Sequence, residues 1–134
     1  MIKKRLIGVI TVLDGWAVQS IGYQKYLPLG KPTCLAQNLD NWGVDEILIQ
    51  SINRSVKKLG PDFDLLKSLS ELSLSTPLIY SGGINSISDA VNSIKFGSER
   101  IAVDFLLQQN PNLVKDIVLK IGYQALIASV PLSI

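Results

Sequence analysis

A short element occurs three times in this chain and narrows its fold more than any other feature: a helix-ending glycine, two or three residues, then an apolar run. It reads Gly43-Val44-Asp45-Glu46-Ile47-Leu48-Ile49, then Gly97-Ser98-Glu99-Arg100-Ile101-Ala102-Val103, then Gly122-Tyr123-Gln124-Ala125-Leu126-Ile127-Ala128. Glycine just past a helix supplies the left-handed residue that stops it. A β-branched apolar run bounded by turn residues is a strand buried in a parallel sheet. Strands and helices alternating on this rhythm imply repeated βα units joined by right-handed crossovers.

The rest of the chain fills in that frame. Residues 6–12 are nearly all apolar, as a strand buried on both faces would be, and Asp14-Gly15 ends it. Residues 16–31 hold Tyr23, Tyr26, Pro28 and Gly30 without helical periodicity and read as a long loop or a short hairpin excursion. Pro32 opens a helix with Leu35, Leu39 and Trp42 on one face, so Trp42 is expected in the core, and Gly43 stops it. After the strand at 46–49, a basic loop with Arg54, Lys57, Lys58 and Gly60 leads to an Asp62 cap and a helix that turns Leu65, Leu66, Leu69 and Leu72 inward. Residues 77–80 form a third strand, ending in Ser81-Gly82-Gly83. Ser86 and Asp89 have the spacing of an N-cap and its third-position acid, opening a helix that ends at Gly97. Residues 101–103 form strand four. Asn110-Pro111 opens a helix with apolar positions 113, 114, 117, 118 and 121, and residues 125–130 form strand five. No stretch marks a domain boundary or a low-complexity linker, so residues 1–134 are expected to form one domain.

Composition excludes several chemistries. The chain has no histidine, which removes Ser-His-Asp and Cys-His catalysis, HExxH zinc sites and imidazole bases. The single Cys34 cannot form an intramolecular disulfide and lacks companion ligands for zinc, so no metal or cofactor is expected. A cytoplasmic setting fits this cysteine usage. The basic start Lys3-Lys4-Arg5 precedes an apolar run too short for a signal peptide, and no stretch nears the roughly 20 apolar residues of a membrane span. A net charge of +2, evenly spread, does not argue for nucleic acid.

Two architectures satisfy five βα-type strands. A flavodoxin-like doubly wound sheet would be complete at 134 residues, whereas a TIM (β/α)8 barrel has eight strands and about 250 residues. The strongest local signal for chemistry is Ser81-Gly82-Gly83-Ile84, directly after a strand and just before the helix start at Ser86. Glycines there let backbone amides approach a phosphate. A tight βα turn that needs positive φ accounts for them equally well.

Several anchors together resemble one family: Lys4-Arg5-Leu6-Ile7, Asp14-Gly15, Gly43-Val44-Asp45-Glu46-Ile47, Gly82-Gly83-Ile84 with Ser86 and Asp89-Ala90, Asn110-Pro111 and Gly122-Tyr123-Gln124-Ala125. In order and spacing they resemble the N-terminal half of the cyclase subunit of imidazole glycerol phosphate synthase, over essentially the whole chain. That resemblance implies half of a TIM barrel: four βα units plus a fifth strand, five strands in all. It also implies an ammonia-dependent lyase and cyclase of histidine biosynthesis, fed by a glutaminase subunit.

Carried onto this sequence, the resemblance puts the family's catalytic aspartates on Thr11 and Pro131, its loop lysine on Gln19, and its aspartate after strand two on Ser51. A hydroxyl and a proline cannot perform carboxylate acid/base chemistry, so catalysis is expected to be impaired or altered. The implied phosphate cradle keeps Gly82 and Gly83 but reads Asp104-Phe105 beyond the next strand, setting a negative charge beside a dianion. The implied ammonia gate and glutaminase-docking mouth keeps Arg5, Glu46 and Arg100, with Glu99 and Gln124 nearby; solvated surface charges are the plainer account of these residues. The non-acidic Thr11 is also similar to a family branch associated with amidation of surface-polysaccharide sugars.

Open strand edges imply a second half-barrel, from an identical chain or a separate one. Three readings follow: a divergent half-length cyclase relative, a non-enzymatic scaffold or regulatory subunit that binds a glutaminase-like partner or a phosphosugar, and a truncated remnant. Among smaller candidates, Lys57 and Lys58 are expected to be solvated, Trp16 could line a cleft or an interface, and Asp14 belongs to turn chemistry rather than to catalysis.

Overall fold

The computed structural model describes residues 2–132. One sheet of seven strands carries helices against one of its faces. The strands are β1 (Ile7–Leu13), β2 (Trp16–Ile21), β3 (Lys25–Gly30), β4 (Glu46–Ser51), β5 (Leu78–Ser81), β6 (Arg100–Val103) and β7 (Leu126–Ala128). The helices are α1 (Pro32–Trp42), α2 (Phe63–Ser70), α3 (Ile87–Lys95), the short α4 (Phe105–Gln109) and α5 (Pro111–Ile121).

The sheet order is β3-β2-β1-β4-β5-β6-β7. Its five parallel strands therefore lie side by side in chain order, with no point at which the order reverses. A doubly wound sheet requires such a reversal, so the flavodoxin-like alternative is set aside. The sheet resembles part of a TIM-barrel-like sheet. The expected count of five strands is corrected to seven, because residues 16–31 are a true antiparallel hairpin added to the end of β1. Asp14 and Gly15 both have positive φ and join Leu13 to its partner Trp16 by a two-residue turn, which fixes the hairpin register.

Local chemistry sets the helix ends as the sequence predicts. The Leu65 amide donates to Asp62 Oδ1 at the start of α2, and the Leu113 amide to Asn110 Oδ1 at the start of α5. In α3 the Asp89 amide donates to Ser86 Oγ while Asp89 Oδ2 accepts from the Asn85 amide, a reciprocal capping box. Gly43 ends α1 in the left-handed conformation. The last expected strand, 125–130, is shorter than read: Tyr123–Ala125 form a 3-10 turn and only Leu126–Ala128 pair with β6.

The core lies between the sheet and its helices. Ile10, Ile47, Ile49, Tyr80 and Ile101 meet Leu66, Leu69, Ala90 and Ile117 there. On β1 only this face is covered. Ile10 and Val12 are buried, whereas Ile7 and Val9, pointing the other way, remain 42% and 55% exposed. The expectation that β1 is buried on both faces is corrected accordingly: among the described residues nothing buries Ile7 and Val9 on its second face. Trp42 is likewise corrected, being 76% exposed. It lies about 120° around α1 from the buried Ala36.

Candidate functional site

Parallel βα sheets bring their loops together at the carboxyl ends of the strands, and most of the residues singled out above gather there. Gln50 and Ser51 end β4, Ser81 ends β5 with Gly82 just beyond it, Asp104 and Phe105 follow β6, and Ser129 and Pro131 follow β7. These residues line an open cleft of about 400 Å3, roofed on one side by Tyr23 and Tyr26 of the hairpin. Thr11 and Gln19 open instead into a separate recess between β1 and the hairpin. The four positions tied to catalysis by resemblance are thus divided between two openings, and none bears a carboxylate.

The Gly82-Gly83 turn has two physical requirements for glycine. Both residues have positive φ, and a Cβ on Gly82 would lie 2.4 Å from the Ser51 carbonyl oxygen, one on Gly83 2.2 Å from that of Gly60. The turn is pressed between β4 and the loop that follows it. Within the cradle formed with Asp104 and Phe105, two of the amides are already used. Gly83 N–H donates to Ser55 Oγ at 3.0 Å, and Phe105 N–H to Asp104 Oδ1 at 2.5 Å. Steric demand therefore explains the glycines without a ligand. The role of Ser55 was not legible beforehand, since its partner lies 28 residues away and no local pattern links them.

The loop carrying Ser55 is itself pinned. Arg54 donates through Nε to the Gly60 carbonyl at 2.6 Å and reaches Asp62 Oδ2 at 3.5 Å. Its charge is spent inside the loop rather than aimed at the cleft. Lys57 reaches Asp14 Oδ1 at 3.3 Å, and Asn53 Nδ2 donates to the same oxygen at 2.5 Å. The Asn53 amide foremost, then Lys57, hold the Asp14 carboxyl below its ordinary range. Asp14 is thereby turned toward this loop, in keeping with a turn role, while Lys58 stays exposed. Beneath the loop, the buried Tyr80 hydroxyl accepts from the Asp62 amide at 2.7 Å, and burial pushes its phenol above its ordinary value.

At the opposite mouth, three charged residues meet. Glu46 begins β4 with its side chain only 3% exposed, and its two oxygens bind Arg5 Nη1 at 2.8 Å and Arg100 Nη2 of β6. The Leu6 amide donates to Asp45 Oδ2 at 2.7 Å, which holds the segment bearing Arg5 against β4. Two guanidinium groups on one carboxylate leave the cluster with a net positive charge. Glu99 and Gln124 lie on the same side of the sheet and are exposed. Among the described residues no group of three or more His, Cys, Asp or Glu side chains could hold a metal, and no helix is long and apolar enough to cross a membrane.

Comparisons with known proteins agree with this architecture. The chain is 28% identical to the imidazole glycerol phosphate synthase subunit HisF of Pyrococcus furiosus, over 97% of its own length and 51% of that relative. It is 27% identical to the subunit of the same name from Exiguobacterium sibiricum, covering 52% of it, and 28% identical to that of Methanocaldococcus jannaschii, covering 47%. The chain therefore spans about half the length of the curated relatives it matches. A family model described as histidine biosynthesis protein matches residues 5–132, and on that match the chain belongs to the histidine biosynthesis protein family, as a divergent homologue of its HisF-type cyclase subunits.

Proposed function

We propose that residues 1–134 act as one half of a cyclase-type barrel in which the cyclase reaction is lost or altered, and in which the mouth at Arg5, Glu46 and Arg100 is the retained functional surface. The observation that carries this reading is the cradle at Gly82-Gly83 and Asp104-Phe105, whose Gly83 and Phe105 amides bind the chain's own Ser55 and Asp104. A phosphorylated substrate would have to displace a hydroxyl and a carboxylate to reach them. Thr11, Gln19, Ser51 and Pro131 offer no carboxylate for proton transfer. A glutaminase-like subunit is the partner this reading assigns to the charged mouth, with Glu99 and Gln124 at its rim. A second half-barrel, from an identical or a separate chain, would cover Ile7 and Val9. The exposed Cys34 thiol suits a reducing, cytoplasmic setting. An altered amidation chemistry, of the kind associated with surface-polysaccharide sugars, is the second reading; only the non-acidic Thr11 favours it.

The test has two arms. The purified chain is assayed for ammonia-dependent turnover of a phosphorylated ribonucleotide analogue, and it is mixed with the glutaminase subunit of an imidazole glycerol phosphate synthase before size-exclusion chromatography. The expected result is no turnover together with a complex that Arg100→Glu abolishes. Turnover by the chain alone, or a failure to form the complex, sinks the proposal.

A further inference from the structure

We infer that the cleft beneath the hairpin binds an uncharged, polyhydroxylated ring compound, a sugar that carries no phosphate. Its floor is polar without being cationic. Gln50, Ser81 and Ser129 reach it from the ends of β4 and β5 and from just beyond β7, bringing hydroxyl and carboxamide groups that both donate and accept. Its rim is aromatic, with Tyr23 and Tyr26 on the hairpin side and Phe105 opposite. Ring faces of this kind pack against the C–H surface of a sugar while hydroxyl-bearing side chains bind its edge. The cleft, at about 400 Å3, falls within the roughly 300–1,000 Å3 typical of small-molecule sites.

Charge then selects among polar ligands. Among the described residues Asp104 is the only charged side chain lining the cleft, and a carboxylate accepts hydrogen bonds from hydroxyls but repels a phosphate. Of the basic groups in the neighbouring loop, Arg54 is committed to the Gly60 carbonyl and Asp62 and Lys57 to Asp14, and neither the exposed Lys58 nor Lys25 of the hairpin lines the cleft. Among the described residues no cation lines the cleft to neutralise a phosphate monoester beside Asp104. A neutral sugar meets a matching set of donors, acceptors and ring faces. This inference goes beyond the reading above and does not depend on partner docking.

Saturation-transfer NMR on the full chain tests it, with glucose, ribose and N-acetylglucosamine each compared with its phosphate ester. At least one neutral sugar should bind, at least about tenfold more tightly than its ester. Tyr23→Asn, an exposed position at φ 56 where asparagine suits the backbone, and Phe105→Ala should each weaken the neutral sugar's signal. Asp104→Asn should narrow the gap between sugar and ester. Circular dichroism on each variant separates lost binding from lost folding. The inference is overturned by esters binding as well as the neutral forms, by no transfer from any of the three sugars, or by folded Tyr23→Asn and Phe105→Ala variants that both bind unchanged. Absence of sugar binding leaves the turnover and docking results standing, so the two proposals fail separately.

Discussion

Ser55 Oγ accepts the Gly83 amide at 3.0 Å, so a hydroxyl from the loop after β4 occupies the hydrogen-bonding direction that an anion would use at the glycine turn. Asp104 does the same for the Phe105 amide. The chain holds the geometry of an anion cradle while filling it with its own oxygen atoms.

Removing both occupants should reopen it. Ser55→Ala with Asp104→Ala frees two amides and deletes a negative charge, and each hydrogen bond to a charged group is worth about 1.5–3 kcal/mol. Ribose 5-phosphate affinity, read by isothermal titration calorimetry, should rise at least about tenfold over the unaltered chain. An unchanged affinity would show that these amides do not control anion access.

Glycine at position 83 is required by sterics. Gly83→Ala adds a Cβ 2.2 Å from a backbone oxygen at φ 72, and left-handed strain plus overpacking should cost about 2–4 kcal/mol. Gly15→Ala, at φ 83 with nothing within 4 Å, should cost only about 1 kcal/mol. Urea denaturation of both variants measures the difference, and equal losses would refute the steric account.

The two arginines on Glu46 should be unequal. The Arg5 side chain is 65% exposed and that of Arg100 is 30% exposed. Arg5→Met should cost no more than about 1 kcal/mol, as for solvent-screened pairs. Arg100→Met leaves the buried carboxylate with only its exposed partner and should cost about 2–3 kcal/mol, toward the range for breaking buried pairs. Denaturant midpoints that rank the two variants in the opposite order would count against the asymmetry.

Tyr80 should make the fold sensitive to alkali. Its phenol sits above the ordinary value of 10.0 because of burial, so between the unfolded and folded pKa values the unfolded chain binds fewer protons. Stability is then complete below about pH 10 and falls as pH rises through the folded value. Tyr80→Phe should remove that dependence, at a cost of about 1 kcal/mol at neutral pH for the hydrogen bond lost from the Asp62 amide. Thermal unfolding at pH 8 and pH 10.5 checks both effects; a variant that keeps the alkaline loss would assign it to another group.

Features legible in the sequence share short range. Asp62, Ser86 and Asn110 cap helices by bonding amides three residues ahead, and Gly43 ends α1 one residue past its last turn. Each follows from neighbours in the chain. The hairpin strands were harder to read because Pro28 and the exposed Leu27 and Leu29 blur the alternation that marks a strand. Trp42 kept helical spacing with Leu35 and Leu39, yet periodicity assigns only an angle around a helix and not whether another element packs against that angle.

The sequence by itself determined the βα rhythm, the starts of the four longer helices and the absence of carboxylates at Thr11 and Pro131, because these depend on residue type and local spacing, whereas the short α4 carried no such local signal. Tertiary structure decided the rest. It set the strand order that separates a barrel-like sheet from a doubly wound one, the contact of Ser55 with Gly83, and the convergence of Arg5 and Arg100 on Glu46. Those relationships join residues 28 to 54 positions apart, and only the packing of one βα unit on the next fixes which distant groups come within hydrogen-bonding distance.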